Sequence, residues 1–452
     1  MLTPPPYDRS GLVAGVVHVG VGAFHRSHLA MYHDRLLRAG AGGDLGICGV
    51  GVLPGDRAMR DALRSQDHLY TLVVKHPDGT HEPQVIGSIV DYLFAPDDPA
   101  AVVERMAAPT TRIVSLTVTE GGYEDPHGPA FELIVAALAR RRANGLPPFT
   151  VMSCDNLPGN GRRARQVLRQ AAPPDLDAWI DAHGAFPSSM VDRITPRTTD
   201  GDRRDLRERF GIDDAWPVVC EPFVQWVLED DFADGRPPYE DVGVQLVDDV
   251  EPYELMKLRL LNVGHQALCY FAHLIGYRLV HDAAADPLLR SFVRTYMDRE
   301  ATPTLAPVPG IDLDEYKATL IERFSNPEVG DTVARLCAES SDRIPTWLGP
   351  VVRANLDRGG EVLRSAAIVA SWARYAEGVD EQGRQIEVVE PLRDRVMANA
   401  RAGTFLDDRQ LFGDLGDDPR FRSPFQRVLD SLHERGAAAT LAWLDGEPGM
   451  MA

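Results

Sequence analysis

The chain has 452 residues, length enough for two large domains, and its 44% apolar and 25% charged residues are the balance of an ordinary globular protein. A formal net charge of −20 argues against nucleic acid, whose phosphates need a basic surface, and against an anionic membrane face. The acidic residues are spread along the chain rather than gathered in a tail, which suits solubility more than a binding surface. Cys48, Cys154, Cys220, Cys269 and Cys337 are far apart with no CxxC pair, so they offer neither a disulfide framework nor a zinc cluster and fit a reducing cytosol. The opening MLTPPPYDRSG has no charged-then-apolar leader pattern, and no apolar run reaches membrane-spanning length, so a cytoplasmic location is the expectation.

In chain order, the first half alternates short apolar runs with helical patterns. VAGVVHVGVG, LGICGVGVL, TRIVSLTVT and FTVMSC each end in glycine or polar residues, a rhythm that predicts parallel strands joined by crossover helices. The first run leads into HVGVGAFHRSH. Gly20 and Gly22 stand where small residues let a backbone approach a pyrophosphate, and Phe24, His25 and Arg26 follow at the start of the next helix. His25 occupies the place of a third glycine, and Arg26 is a candidate cation for the phosphates. After the second run, Asp56 is either the carboxylate that reads an adenosine ribose and repels a 2′-phosphate, or a helix N-cap. Arg57 beside it leaves NAD against NADP open. Later runs end in TVTEGGY, with Thr119 and Glu120, and in SCDNLPGNG, with Asn156. Ligands of open α/β sheets gather at such strand ends, although Asn156 equally suits an Asx-turn.

The Gly-, Pro- and acid-rich DDFADGRPPYEDVG (230–243) predicts a surface connection, and the boundary is set near 248, giving domains 1–247 and 248–452. Beyond it the pattern becomes long and helical, as at 316–337 and 360–376. The stretch EPYELMKLRLLNVGHQALCYFAHLIGY (251–277) reads as one mostly apolar helix with Lys257, Asn262 and His265 near its start. At about 100° per residue, Asn262 lies roughly 140° and His265 roughly 80° from Lys257. Three polar groups on one broad arc of an apolar helix are costly unless partnered, which points to a site.

HVGVGAFHRSH, TVTEGGY, SCDNLPGNG, MVDRITP, KLRLLNVGH and SDRIPTW occur in this order. Together they resemble the mannitol dehydrogenase family of long-chain polyol-specific dehydrogenases, over about residues 14–440, with the K-x4-N-x2-H spacing as the most specific piece. The resemblance implies a Rossmann domain joined to a mostly helical C-terminal domain, a nicotinamide cofactor, no metal, and an active site between the domains. It further implies Lys257 as acid–base, Asn262 as a ligand of the reacting oxygen, and His265 as a substrate residue. Asp192 in MVDRITP and Arg343 in SDRIPTW become substrate candidates, each with a structural ion pair as the alternative.

The chemistry asks for these residue types. Taking hydride from a carbinol carbon needs a base for the hydroxyl proton, which a lysine can be if burial disfavours its charge. The developing alkoxide needs fixed donors, and the amides of Asn156 and Asn262 qualify. The expectation is therefore NAD-dependent interconversion of a polyol and a ketose, D-mannitol and D-fructose first. Reduction of fructuronate, with Arg343 or Arg193 for its carboxylate, and oxidation of mannitol 1-phosphate are the rivals within the family. A catalytically silent NAD-responsive binding protein is the rival outside it, and an intact lysine set counts against that. Zinc-dependent polyol oxidation is disfavoured because no Cys/His/Glu grouping has ligand spacing.

Overall fold

The computed structural model describes residues 2–447. The chain divides into two compact units, Met1–Glu254 and Leu255–Ala452.

The first unit contains β1 (Ala14–Val19), β2 (Gly46–Gly51), β3 (Tyr70–Lys75), β4 (His81–Ile86), β5 (Ile89–Phe94), β6 (Ile113–Leu116), β7 (Thr150–Ser153), β8 (Ser189–Asp192), β9 (Val218–Cys220), β10 (Gln225–Glu229) and β11 (Gln245–Val247). The four apolar runs become β1, β2, β6 and β7 of a five-stranded sheet ordered β5-β2-β1-β6-β7, and every pairing in it is parallel. The expected parallel α/β architecture is thus present. Strands covered by helices on both faces need near-continuous apolar sequence, and β1 (AGVVHV) is buried at every residue. Successive residues serve opposite cores: Val17, Val19, Val50 and Leu116 face one, and Val16, Ile47 and Ile113 the other.

From β1 the chain builds outward to β2 and β5, then crosses back to lay β6 and β7 on the opposite side. β1 and β6 are therefore the neighbours between which the strand order reverses, and ligands of such sheets lie beyond the carboxyl ends of that pair. Two small mixed sheets, β11-β10-β8 and β4-β3-β9, complete the unit, and β8 brings Asp192 to its end.

The second unit is helical. Its Val263–Ile275 helix is buried almost all round, packed by Pro287–Tyr296, Val333–Cys337 and Leu363–Ala376, as expected of a helix without a polar face. The single α-helix expected over 251–277 is not what forms. Glu251–Met256 is α-helical, Lys257–Asn262 is a π-helix, and α-geometry resumes at Val263. The long helical period at 316–337 is likewise broken into Leu313–Phe324, a 3-10 turn at Pro327–Val329 and Val333–Cys337. Pro327 lacks the N–H that would continue the first helix, and Gly330 at φ 65° turns the chain. No helix among the described residues is long and apolar enough to cross a membrane, and no group of three or more His, Cys, Asp and Glu among them could hold a metal ion.

Candidate active site

The turn after β1 is fixed by Gly20. Its φ is 91°, and a Cβ there would stand 2.1 Å from the carbonyl oxygen of Thr117, so only glycine fits. Gly22 differs: a Cβ there would meet nothing closer than the Gly20 oxygen at 3.9 Å, so packing within the protein does not demand glycine. Open space in front of an exposed backbone at a switch point is what a phosphate cradle requires. Past β2 and β5, Val52, Ala95, Pro96, Val103 and Leu133 line a cleft of about 540 Å³, apolar and suited to a flat ring. Asp56, at the end of β2, accepts from Val52 N and Leu53 N with one oxygen, both at 2.9 Å. It caps the turn as a helix-cap carboxylate does, and its other oxygen has no such bond to these two amides.

His25 and Arg26 take roles that the sequence did not suggest. His25 is buried and stacks on His18 at 3.5 Å between ring centroids, and neither of its ring nitrogens makes a hydrogen bond. His18 in turn meets Ser115 Oγ at 2.8 Å and Thr117 Oγ1 at 2.9 Å, tying β1 to β6 beneath the turn. Burial, only partly offset by the Gly20 carbonyl, lowers the His18 imidazole to about 3, and burial with neighbouring positive charge drives His25 far down as well. Arg26, proposed for phosphates, is fully buried, lies 5.2 Å from the Tyr70 ring centroid and donates to the Trp216 carbonyl. It braces the turn from inside and does not face outward as a phosphate cation would. Phe24, half-buried, stacks on His28 at 5.0 Å.

At the end of β6, Thr119 and Glu120 are exposed at the rim of the switch point. Thr119 adopts φ 62°, ψ 172°, a region essentially reserved for glycine that costs about 1–3 kcal/mol. Asn156 is half-buried in the loop after β7. The same loop is held at Gly159, whose N–H donates to Glu254 Oε2 at 3.0 Å. Sequence reasoning passed over Glu254 and the buried Asp155. Glu254, one helical turn before Lys257, was visible as an acid in a mostly apolar helix; Asp155 was hidden by the more suggestive Asn156.

In the helical unit, Lys257, Asn262 and His265 are all buried, with 9%, 7% and 7% exposure. The π-helix changes their geometry. Its hydrogen bonds run from i to i+5, so residues five apart come close to one full turn apart, and Lys257 and Asn262 are five apart. The wide angle between them in a regular α-helix largely closes. Asn262 and His265, three apart where α-geometry resumes, share that face. The segment is also tied to its surroundings: Tyr296 donates to the Arg259 carbonyl at 3.2 Å, and Arg259 donates to the Thr304 carbonyl at 2.6 Å. His265 is also fixed by Phe324, 4.2 Å away between ring centroids. Asn262 Oδ1 makes no hydrogen bond. Amide O and N are interchangeable by a flip, so the group can present donors to a ligand. The chain has only three lysines, Lys75, Lys257 and Lys317.

Asp192 is buried at the end of β8. Arg193 gives its donors to the carbonyls of Glu221 and Ser27, at 2.8–3.1 Å, and is committed to the framework. Arg343 pairs with Glu339 at 2.8 Å and lies 5.6 Å from the Trp347 ring centroid; another π-segment, Ile344–Leu348, follows it directly.

Comparison with known proteins places this geometry. Residues 14–241 match the profile described as the mannitol dehydrogenase Rossmann domain, and residues 249–433 match the mannitol dehydrogenase C-terminal domain. Mannitol 2-dehydrogenase of Phaeosphaeria nodorum is 46% identical over 98% of this chain and 83% of its own length, and that of Aspergillus fumigatus is 46% identical over 97% and 94%. Among solved structures, the Pseudomonas fluorescens mannitol 2-dehydrogenase ternary complex with NAD and D-mannitol superimposes with a TM-score of 0.92, at 44% identity over 98% of this chain and 96% of that one. A substrate-free D-sorbitol dehydrogenase follows at 0.86, 36% identical over 97% and 96%.

Proposed function

Because this chain belongs to the mannitol dehydrogenase family, we propose that it is a metal-independent oxidoreductase moving hydride between NAD(H) and a polyol–ketose pair, D-mannitol and D-fructose. The observation that carries this reading is the likeness, at 44% identity and a TM-score of 0.92, to an enzyme solved with NAD and D-mannitol.

In the sheet unit, the Gly20–Gly22 turn is the seat of the pyrophosphate, the Val52–Leu133 cleft that of the adenine, and Asp56 that of the ribose. Phe24, Thr119 and Glu120 border the same switch point, and Asn156 and Asp192 are the polar groups offered to substrate. When bound, NAD supplies the hydride acceptor for polyol oxidation. The residues of the chain handle the proton and the charge. Lys257 as the neutral amine takes the carbinol hydroxyl proton at Nζ; in ketose reduction the ammonium returns it to the carbonyl oxygen. Lys257 is buried in the helical unit, and proton transfer by a positioned side chain is the role this reading gives it. Asn262 donates to the oxygen as it gains negative charge. His265 and Arg343 orient the sugar hydroxyls.

A neutral sugar is favoured over fructuronate. Both cations considered for a carboxylate are engaged, Arg193 by two backbone carbonyls and Arg343 by Glu339. The cytoplasm is the proposed location, in line with five buried, unpaired cysteines. NADH oxidation assayed against fructose, fructuronate, tagaturonate, xylulose and fructose 6-phosphate tests the reading. Preference for fructose supports it, and preference for a uronate or a phosphate overturns the substrate assignment.

A further inference from the structure

Thr119 holds its strained backbone at the rim of the switch point although its own sequence does nothing to favour it; the glycines, Gly121 and Gly122, come two and three residues later. The Asp155 carboxylate explains how. Its Oδ1 accepts from Thr119 N at 2.8 Å, and its Oδ2 accepts from Val118 N at 3.2 Å and from Tyr123 OH at 2.7 Å. Donors from both ends of the 118–123 turn converge on one buried side chain with 6% exposure. The far end of the turn is pinned as well, because Tyr123 OH also meets Ser153 Oγ at 2.6 Å and Arg163 donates to the Tyr123 carbonyl at 2.9 Å. Asp155 is moreover the residue immediately before Asn156.

We propose that Asp155 is a positioning residue, a carboxylate latch that holds the Val118–Tyr123 turn in its strained, ligand-facing shape and sets the start of the Asn156 loop. This rests on the reading above in which Thr119 and Glu120 border the NAD site. A carboxylate is the group the geometry demands: it offers acceptors only, where a carboxamide would turn an NH2 toward a backbone N–H and a protonated carboxyl would lose an acceptor. Burial raises the Asp155 carboxyl to about 6, with the hydrogen bonds from Tyr123, Val118 and Thr119 opposing and the Glu120 charge assisting. The other titratable groups facing it, Tyr123 and Cys154, are pushed up by burial and by the Asp155 charge, so they stay neutral around pH 6. The latch should therefore loosen as pH falls through that range.

The test combines amide hydrogen exchange over 116–124 in the free protein with NADH titration, for the parent, Asp155→Asn, Thr119→Gly and the double variant. We expect Asp155→Asn to speed exchange at Val118 and Thr119 and to weaken NADH binding about tenfold, the scale of losing hydrogen bonds to a charged acceptor. In the Thr119→Gly background the same change should have little further effect, since glycine takes the conformation without a latch. In the parent, protection of these two amides, corrected for intrinsic exchange, should fall below about pH 6. Parental exchange and affinity in Asp155→Asn, or an equal loss in both backgrounds, overturns the proposal. If Asp155→Asn does not fold, the parent pH series decides, and flat protection overturns it. A parent that binds no NADH sinks the functional reading instead, and the exchange measurements still decide the latch.

Discussion

Lys257 and Asn262 stand five residues apart, the hydrogen-bonding period of the π-helix that contains both, and so share a face that a regular α-helix would deny them. One amine and one amide on one face, both buried and the amide three residues from His265, suit the proposed base and oxyanion donor. Lys257→Ala should leave NADH binding nearly unchanged and cut turnover by about 10²–10⁴-fold, the range for a positioned acid–base. Polyol oxidation needs the neutral amine and should rise with pH through one ionisation; ketose reduction needs the ammonium and should fall through the same one. Both pH profiles should lose that ionisation in the variant. A variant that keeps it and most of its rate would move the base elsewhere, with His265 next.

The two turn glycines should fail differently. Gly20→Ala forces a Cβ against the Thr117 carbonyl at positive φ and should lower the melting temperature markedly, the backbone term alone being about 1–2 kcal/mol. In Gly22→Val the Cβ meets no protein atom closer than the Gly20 oxygen at 3.9 Å, so the variant should fold and weaken NADH binding instead. Thermal melts and calorimetry on both variants separate the cases. Unchanged NADH affinity in Gly22→Val would make that turn structural only.

Acid should weaken the sheet unit through its buried histidines. His18 and His33 fall to about 3 and about 4, chiefly by burial, and His25 falls far as well, whereas all three protonate near pH 6.5 when unfolded. The unfolded chain thus binds more protons, and stability present above about pH 6.5 is lost as pH falls toward 4, by up to about 1.4 kcal/mol per pH unit for each histidine. Asp155, raised to about 6, works in the opposite sense, adding stability below its unfolded value and losing it as pH rises through 6. Urea melts from pH 7 to 4 should show the net decline, and His33→Gln, which removes one such group, should flatten it. An equal slope in that variant would place the acid sensitivity in other groups.

Exhaustive chelation should leave turnover intact, because the proton and the alkoxide are assigned to lysine and amides. Activity restored only by added zinc would refute the lysine mechanism.

Much of this was legible in the sequence because parallel strands carry their burial in continuous apolar runs, and VAGVVHVGVG and FTVMSC could hardly be anything else. The polar arc of the Lys257 helix was legible as chemistry, but its π-turn was not. Its outside contacts are distant in sequence: Tyr296 donates to the Arg259 carbonyl, and Arg259 donates to the Thr304 carbonyl. The break at Pro327 was written in the sequence and was overridden by the surrounding periodicity. Arg26 looked like a cation for the phosphates because sequence alone cannot show which way a helix's first turn faces. Asp155 escaped notice because its donors lie more than thirty residues away, at Val118, Thr119 and Tyr123.

The scarcity of lysine makes the proposed base chemically addressable. Almost all of the positive charge of this chain is guanidinium, which amine reagents ignore, and the remaining side-chain amines are Lys75, Lys257 and Lys317. A mild acylating or reductive-alkylating reagent therefore has few sites to choose among, and mass spectrometry can read each of them separately. Modification at Lys257 should rise and activity fall in one-to-one proportion, and NADH with a ketose should shield that site alone.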